Sequence, residues 1–117
     1  MKIAYVAGAY RAETHYEVEL NIRQAEAVAI ELWKMNYATI CPHKNTSHFD
    51  DLAPDRIWLD GDLEIISRLH GGKDCLVMLP NWENSKGAKA EHEFARNRGL
   101  NIFYWPEDKD KLARFVV

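Results

Sequence analysis

Residues 2–41, KIAYVAGAYRAETHYEVELNIRQAEAVAIELWKMNYATIC, read as a strand, a helix and a second strand in direct succession. Lys2–Gly8 (KIAYVAG) is a short apolar run with β-branched and aromatic side chains that ends on glycine, the pattern of a buried strand entering a tight loop. From Thr14 the period changes. Val18, Ile22, Ala25, Ala29 and Leu32 recur at steps of three and four, with Glu17, Asn21, Gln24, Glu31 and Lys34 between them. That is one apolar stripe on an amphipathic helix of about five turns. Thr14 with Glu17 three residues later forms a capping box, and Asn36 is a stop. Tyr37–Cys41 (YATIC) supplies the second strand, closed by Pro42, which lacks the N–H that a continuing ladder would use.

The same alternation continues downstream. Asp55 to Leu69 carries Ile57, Trp58, Ile65, Ile66 and Leu69 at helical spacing and ends at Gly71 and Gly72. Cys75–Leu79 (CLVML) reads as a third buried strand, Asn81–Ser85 as a polar turn, and Gly87–Arg98 as a helix stopped by Gly99. Leu100–Trp105 is a fourth strand and Pro106–Phe115 a short terminal helix. Strands alternating with helices require right-handed crossovers, and continuous apolar strands are buried on both faces. The expected fold is therefore α/β: a small Rossmann-like three-layer sandwich around a mainly parallel sheet of four to five strands. With 117 residues, 47% of them hydrophobic, the chain suffices for one compact domain, residues 1–117.

Composition narrows the classes of function. Fifteen basic residues face 18 acidic ones, for a formal charge of -3, and no basic block supplies the footprint that duplex nucleic acid demands. No apolar run approaches the ~20 residues of a membrane span, and Met-Lys-Ile at the start lacks a signal-peptide core. No membrane partner and a cytoplasmic location are expected. Cys41 and Cys75 lie in apolar β-like runs without a CxxC pair, so buried reduced thiols are expected. Cys41, His43, His48 and Asp50 match neither a zinc ribbon nor an HExxH arrangement, and no metal or cofactor is expected.

In open α/β sheets ligands bind beyond the carboxyl ends of the strands, which selects three segments. In GAYR, residues 8–11, Gly8 lets backbone amides approach an anion and Arg11 offers a fork of donors to phosphate. The irregular stretch 42–54, PHKNTSHFDDLAP, is long enough to be a substrate loop. Tyr10 from the first segment and His43 and Phe49 from this stretch are candidates to stack on or hydrogen-bond a base. The third segment opens a helix at Ser85-Lys86-Gly87-Ala88, where free amides, the positive helix end and a hydroxyl make a phosphate seat. Gly87, Glu91 and Ala95 follow at intervals of four, so small residues flank one carboxylate on a single face. Without further context Ser85 is equally an N-cap and Glu91 a surface glutamate. No GxGxxG and no GxxxxGK[ST] is present.

SxGxxxExxxA at Ser85, Gly87, Glu91 and Ala95 resembles the signature of the nucleoside 2-deoxyribosyltransferase superfamily. It is closest to proteins like the 2'-deoxynucleoside 5'-phosphate N-hydrolases. GAYR resembles that family's phosphate loop, Asp62-Leu63-Glu64 its Asp-Leu motif, and Asp74 a recurrent aspartate opening the third strand. The likeness runs over about residues 3–104 in order. Two features depart from it: Glu93 stands where relatives carry glycine, and Ser67–Gly72 is longer than in the hydrolases. The resemblance implies Glu91 as a nucleophile at C1' of a deoxyribosyl group, forming a covalent glycosyl-enzyme as retaining glycosidases do. It implies Asp62 as the residue that holds or deprotonates the second nucleophile.

Transferases of the superfamily place a carboxylate where this chain has Ser85. A hydroxyl there, with Gly87 and Arg11, favours a nucleoside 5'-monophosphate and hydrolysis. The alternatives are deoxyribosyl transfer between bases and a non-catalytic module that binds or sequesters a nucleotide. Family members are commonly dimers, so a homodimer is expected, with Trp33, Trp58 and Trp82 as candidate interface aromatics.

Overall fold

In the computed structural model, which describes residues 1–117, four strands pair in parallel: β1 (Ile3–Ala7), β2 (Ala38–Ile40), β3 (Cys75–Met78) and β4 (Asn101–Tyr104). Their order is β2-β1-β3-β4. Five helices accompany them: α1 (His15–Lys34), α2 (Pro42–Asn45), α3 (Asp55–Ser67), α4 (Lys86–Asn97) and α5 (Lys109–Phe115). The result is the Rossmann-like α/β sandwich that the alternation demands, with four strands.

Two separate cores follow from the pleat of the central strands, since successive side chains point to opposite faces. Ala4 and Val6 of β1 join Cys75 and Val77 of β3 against Ala25, Val28, Ala29 and Leu32 of α1 and Leu112 of α5. Tyr5 and Ala7 join Leu76 and Met78 on the other face, against Ile66 of α3 and Ala88 and Ala95 of α4. The apolar stripe of α1 is the buried one. Its N-cap Thr14 accepts the Glu17 N–H at 3.1 Å, as the capping pattern requires.

The structure shifts some boundaries. Stretch 42–54 is not wholly irregular: Pro42–Asn45 makes one helical turn, for which proline's fixed φ at the first position is suited. The terminal helix starts at Lys109 and not at Pro106, and α3 ends at Ser67. Cys75 is fully buried, but Cys41 is only half-buried because it stands at the N-cap of α2 outside β2; both are free thiols. Asp74 ties chain segments together, its carboxylate accepting the Ile3 and His70 N–H groups, each at 2.8 Å. No helix is long and apolar enough to cross a membrane.

From β1 the chain runs outward to β2, then crosses over β1 to β3, so the strand order reverses between β1 and β3. Crevices open at such points beyond the carboxyl ends of the strands. Here β1 and β3 come close: the Leu79 N–H donates to the Ala7 carbonyl at 2.8 Å, and a Cβ on Gly8 would lie 2.5–2.9 Å from Leu79 side-chain atoms. Leu79 is itself 1% exposed and cannot swing into solvent. Gly8→Ala is therefore expected to cost about 1–3 kcal/mol of stability, by overpacking. Chemical denaturation checks this, and an unchanged midpoint would refute the close-packing account.

Candidate active site

At this switch point lies a cavity of about 490 Å³. Gly8, Tyr10 and Arg11 approach it from the loop after β1, His43 from α2, Asp62 from α3, and Ser85, Gly87 and Glu91 from the start of α4. Residues scattered over the chain thus line one space. Phe49 does not line it. It is 42% exposed and packs its ring 6.0 Å from that of Trp58, whose indole does form part of the wall.

Glu91 sits at the floor. Ala88 and Ala95, one turn before and after it on α4, are buried against the sheet, and their small size draws the helix close enough to bury the carboxylate to 7% exposure. Its Oε2 accepts a hydrogen bond from the Tyr5 hydroxyl, which reaches up from β1. Burial pushes the Glu91 carboxyl up to about 8; the Tyr5 hydrogen bond pulls it down, and the nearby Asp62 charge pushes it further up. Tyr5 itself is held far above the ordinary phenol range by burial and then by the charges of Glu91 and Asp62. The pair therefore shares one proton-rich site in which the phenol always donates.

Asp62 faces the cavity from the second turn of α3, one face of which also carries Asp55, Trp58 and Leu59. Partial burial raises its carboxyl to about 6. Two carboxyl groups with elevated and different values, one deep and one nearer solvent, are the arrangement in which acid, base and nucleophile roles separate.

The α4 N-terminus forms one lip. Ser85 caps it, its Oγ accepting the Ala88 N–H at 3.2 Å, so the hydroxyl proton is free to donate elsewhere. A Cβ on Gly87 would meet only the Ser85 Oγ, at 4.0 Å, which leaves the approach to the helix start open. First-turn N–H groups, the helix dipole and the Lys86 ammonium all bear on that lip.

The opposite lip departs from the simple phosphate-loop picture. Arg11 is not free: it contacts Asp55 and lies 3.9 Å from Asp50. The Tyr10 hydroxyl donates to Asp50 at 3.0 Å and accepts the His48 N–H at 2.7 Å. Buried His43 donates from Nε2 to the Ala9 carbonyl at 2.8 Å and is kept neutral by burial, which lowers its basicity. The ring thereby clamps the backbone of the loop that carries Tyr10 and Arg11.

Of the three candidate interface tryptophans, Trp33 alone is exposed; Trp58 lines the cavity, and Trp82 stacks on His92 with centroids 4.2 Å apart. Sequence reasoning assigns no site role to Tyr5, Asp55 or Arg56, weighs Asp50 only as a metal ligand, and names Lys86 only within the phosphate seat. Tyr5 had a readable signal, as the one hydroxyl in β1 on the opposite parity to Ala4 and Val6. No group of three or more His, Cys, Asp or Glu residues is gathered closely enough to hold a metal ion.

The model of one family, described as a domain of unknown function (DUF4406), matches residues 2–104. No curated protein matches the chain.

Proposed function

We propose, for a chain that belongs to the DUF4406 family, hydrolysis of the N-glycosidic bond of a (deoxy)nucleoside 5'-monophosphate. The observation that carries this reading is Glu91: a deeply buried carboxylate, aligned by Tyr5, at the floor of a cavity whose rim is a helix N-terminus with a free hydroxyl proton. A Glu91 oxygen attacks C1', the C1'–N bond breaks, and its electron pair leaves with the base, which takes up a proton from solvent. Water then attacks C1' from the opposite face, Asp62 accepts its proton, and the Glu91–C1' bond breaks to release the sugar phosphate. The Ser85–Ala88 segment holds the phosphate. The likeness of the Ser85–Ala95 spacing to the nucleoside 2-deoxyribosyltransferase superfamily supports the same reading. A cytoplasmic homodimer, with Trp33 among its contacts, belongs to it.

The test is incubation with a panel of deoxy- and ribonucleoside 5'-monophosphates, with free bases resolved by chromatography. Base release supports hydrolysis, and a new nucleotide formed only when a second base is added indicates transfer. One observation favours a silent nucleotide-binding module instead: at about 8, Glu91 is mostly protonated at neutral pH, and a protonated carboxyl is a poor nucleophile. No release from any nucleotide, with binding retained, would select that module.

Within the hydrolase reading Tyr5 has a defined task. Tyr5→Phe removes the hydrogen bond that lowers the Glu91 carboxyl, so the pH of half-maximal base release is expected to rise by about one unit. Loss of rate with the midpoint unmoved would assign Tyr5 to packing alone.

A further inference from the structure

We infer that Trp82, His92 and Tyr104 form an aromatic clamp outside the cavity that holds the Asn84–Gly87 lip of its mouth in the substrate-binding position; the bearing on substrate rests on the nucleotide reading above. The lip is reached through a weak link. Between β3 and α4 the chain makes a single 3-10 turn, Trp82–Asn84, entered through Asn81 at a left-handed φ of 66°. Its backbone hydrogen bonds are local: the Asn84 N–H donates to the Asn81 carbonyl at 3.1 Å and the Ser85 N–H to the Trp82 carbonyl at 3.0 Å. Such turns have poor hydrogen-bond geometry and little stability of their own. Side chains must therefore fix this one against the fold.

Trp82 does so. Its ring packs against the core beneath α4 and lies on that of His92, with centroids 4.2 Å apart and planes 21° from parallel. His92 follows Glu91 on α4 but points about 100° away from it around the helix. None of the three aromatic residues lines the cavity, so they are positioning residues that act through Asn84 and Ser85. The Nε2 of His92 lies 2.7 Å from the Tyr104 hydroxyl at the end of β4, the edge strand. One stack thus ties the turn to the helix that carries Glu91 and to the sheet. The turn is also a wall between two spaces. Asn84 and Ser85 face the main cavity, whereas Asn81, Trp82 and Glu83 face a second depression of about 460 Å³. Without the stack Trp82 has room to move into that depression, and Ser85, bonded to the Trp82 carbonyl, moves with it.

The experiment combines hydrogen exchange of the ligand-free protein with calorimetry and base-release kinetics on nucleoside 5'-monophosphates. His92→Ala puts a good helix former at a half-buried position, so the fold persists. It is expected to speed exchange of the Asn84, Ser85 and Ala88 amides by about three- to tenfold, the value of such an aromatic pair, with β1 and β3 unchanged. Nucleotide affinity should weaken by a similar factor, appearing in KM with kcat unmoved. His92→Phe keeps the stack and should restore both within about twofold. Unchanged exchange at the lip would overturn the clamp, as would faster exchange throughout the chain, which assigns His92 to general stability.

Failure of the two readings is separable. Local loosening and weaker binding without base release from any protein keep the clamp and remove the hydrolase. Base release with local loosening but an unchanged KM keeps the hydrolase and removes the positioning role. Binding of no nucleotide by the wild type removes both.

Discussion

Glu91→Ala is expected to lower base release from nucleoside 5'-monophosphates by at least about a thousandfold, to the background of the uncatalysed reaction. In the proposed route the carboxylate makes and later breaks a covalent bond to C1', a role for which the hydrogen-bonded Tyr5 hydroxyl is no substitute. Tyr5, its hydrogen-bond partner, is held far above the ordinary phenol range and stays protonated. Effects of that size are typical when a nucleophile is deleted, because the whole two-step path is lost. Substrate affinity should change little, since phosphate and base are held elsewhere, so the loss appears in kcat and not in KM. Measurement is by chromatography of the free base under single-turnover and steady-state conditions. A variant that keeps a tenth of the wild-type rate would remove Glu91 as nucleophile and point to direct attack of water with Asp62 as base. Glu91→Gln should be equally inactive while keeping the shape of the site and an acceptor for the Tyr5 hydroxyl.

That same substitution carries the second large effect, on stability. The Glu91 carboxyl is raised to about 8 from an ordinary 4.5, with burial as the main cause. Between those values the folded chain holds a proton that the unfolded chain has released, so stability falls as pH rises through this window. Below about pH 4.5 both states are protonated and the group contributes no pH dependence; above about pH 8 the full cost of burying the charge is present. Glutamine has no such charge. Glu91→Gln is therefore expected to differ little from wild type at pH 5 and to be more stable by roughly 2–4 kcal/mol at pH 8.5. Asp62, raised to about 6, titrates in both proteins and largely cancels in the comparison. Denaturant midpoints at several pH values make the measurement. A stability difference that stays constant from pH 5 to 8.5 would mean that Glu91 is already ionised in the folded chain.

These two results bear on one another. An enzyme that uses a carboxylate nucleophile, yet keeps it protonated in the empty cavity, must shift that proton when substrate enters. A cationic or hydrogen-bonding neighbour on the bound nucleotide would do so by favouring the charged form. A nucleotide-binding module has no such requirement, and its Glu91 can remain neutral throughout. Joint loss of base release and gain of alkaline stability in Glu91→Gln is thus the pattern of an active site that carries a stability cost for function. Gain of stability with no activity in either protein is the pattern of a binder.

What was legible in the sequence had local causes. The steps of three and four from Val18 to Leu32 define a buried face that no other residue needs to specify, and Thr14 with Glu17 caps the helix from within one turn. Apolar runs at Ile3–Ala7 and Cys75–Met78 are buried on both faces because helices must cover both sides of a parallel sheet. The gathering of Gly8, Ser85, Gly87 and Glu91 around one space was also within reach, since strand order alone directs loops to one edge of the sheet, whereas the arrival of Asp62 beside them depends on how α3 packs against α4. Arg11 was read as free because its partners, Asp50 and Asp55, follow a turn and loop whose path depends on how α2 packs. Tyr5 and Glu91 are 86 residues apart, and only the closing of α4 onto β1 through Ala88 and Ala95 makes them one unit. The sequence by itself determined the elements, their parity and the edge at which a site must form, because backbone geometry and apolar period act over a few residues. The protonation of Glu91 and the charge state of the mouth were decided by tertiary structure alone, because desolvation and ion pairing depend on distances between segments that no local pattern encodes.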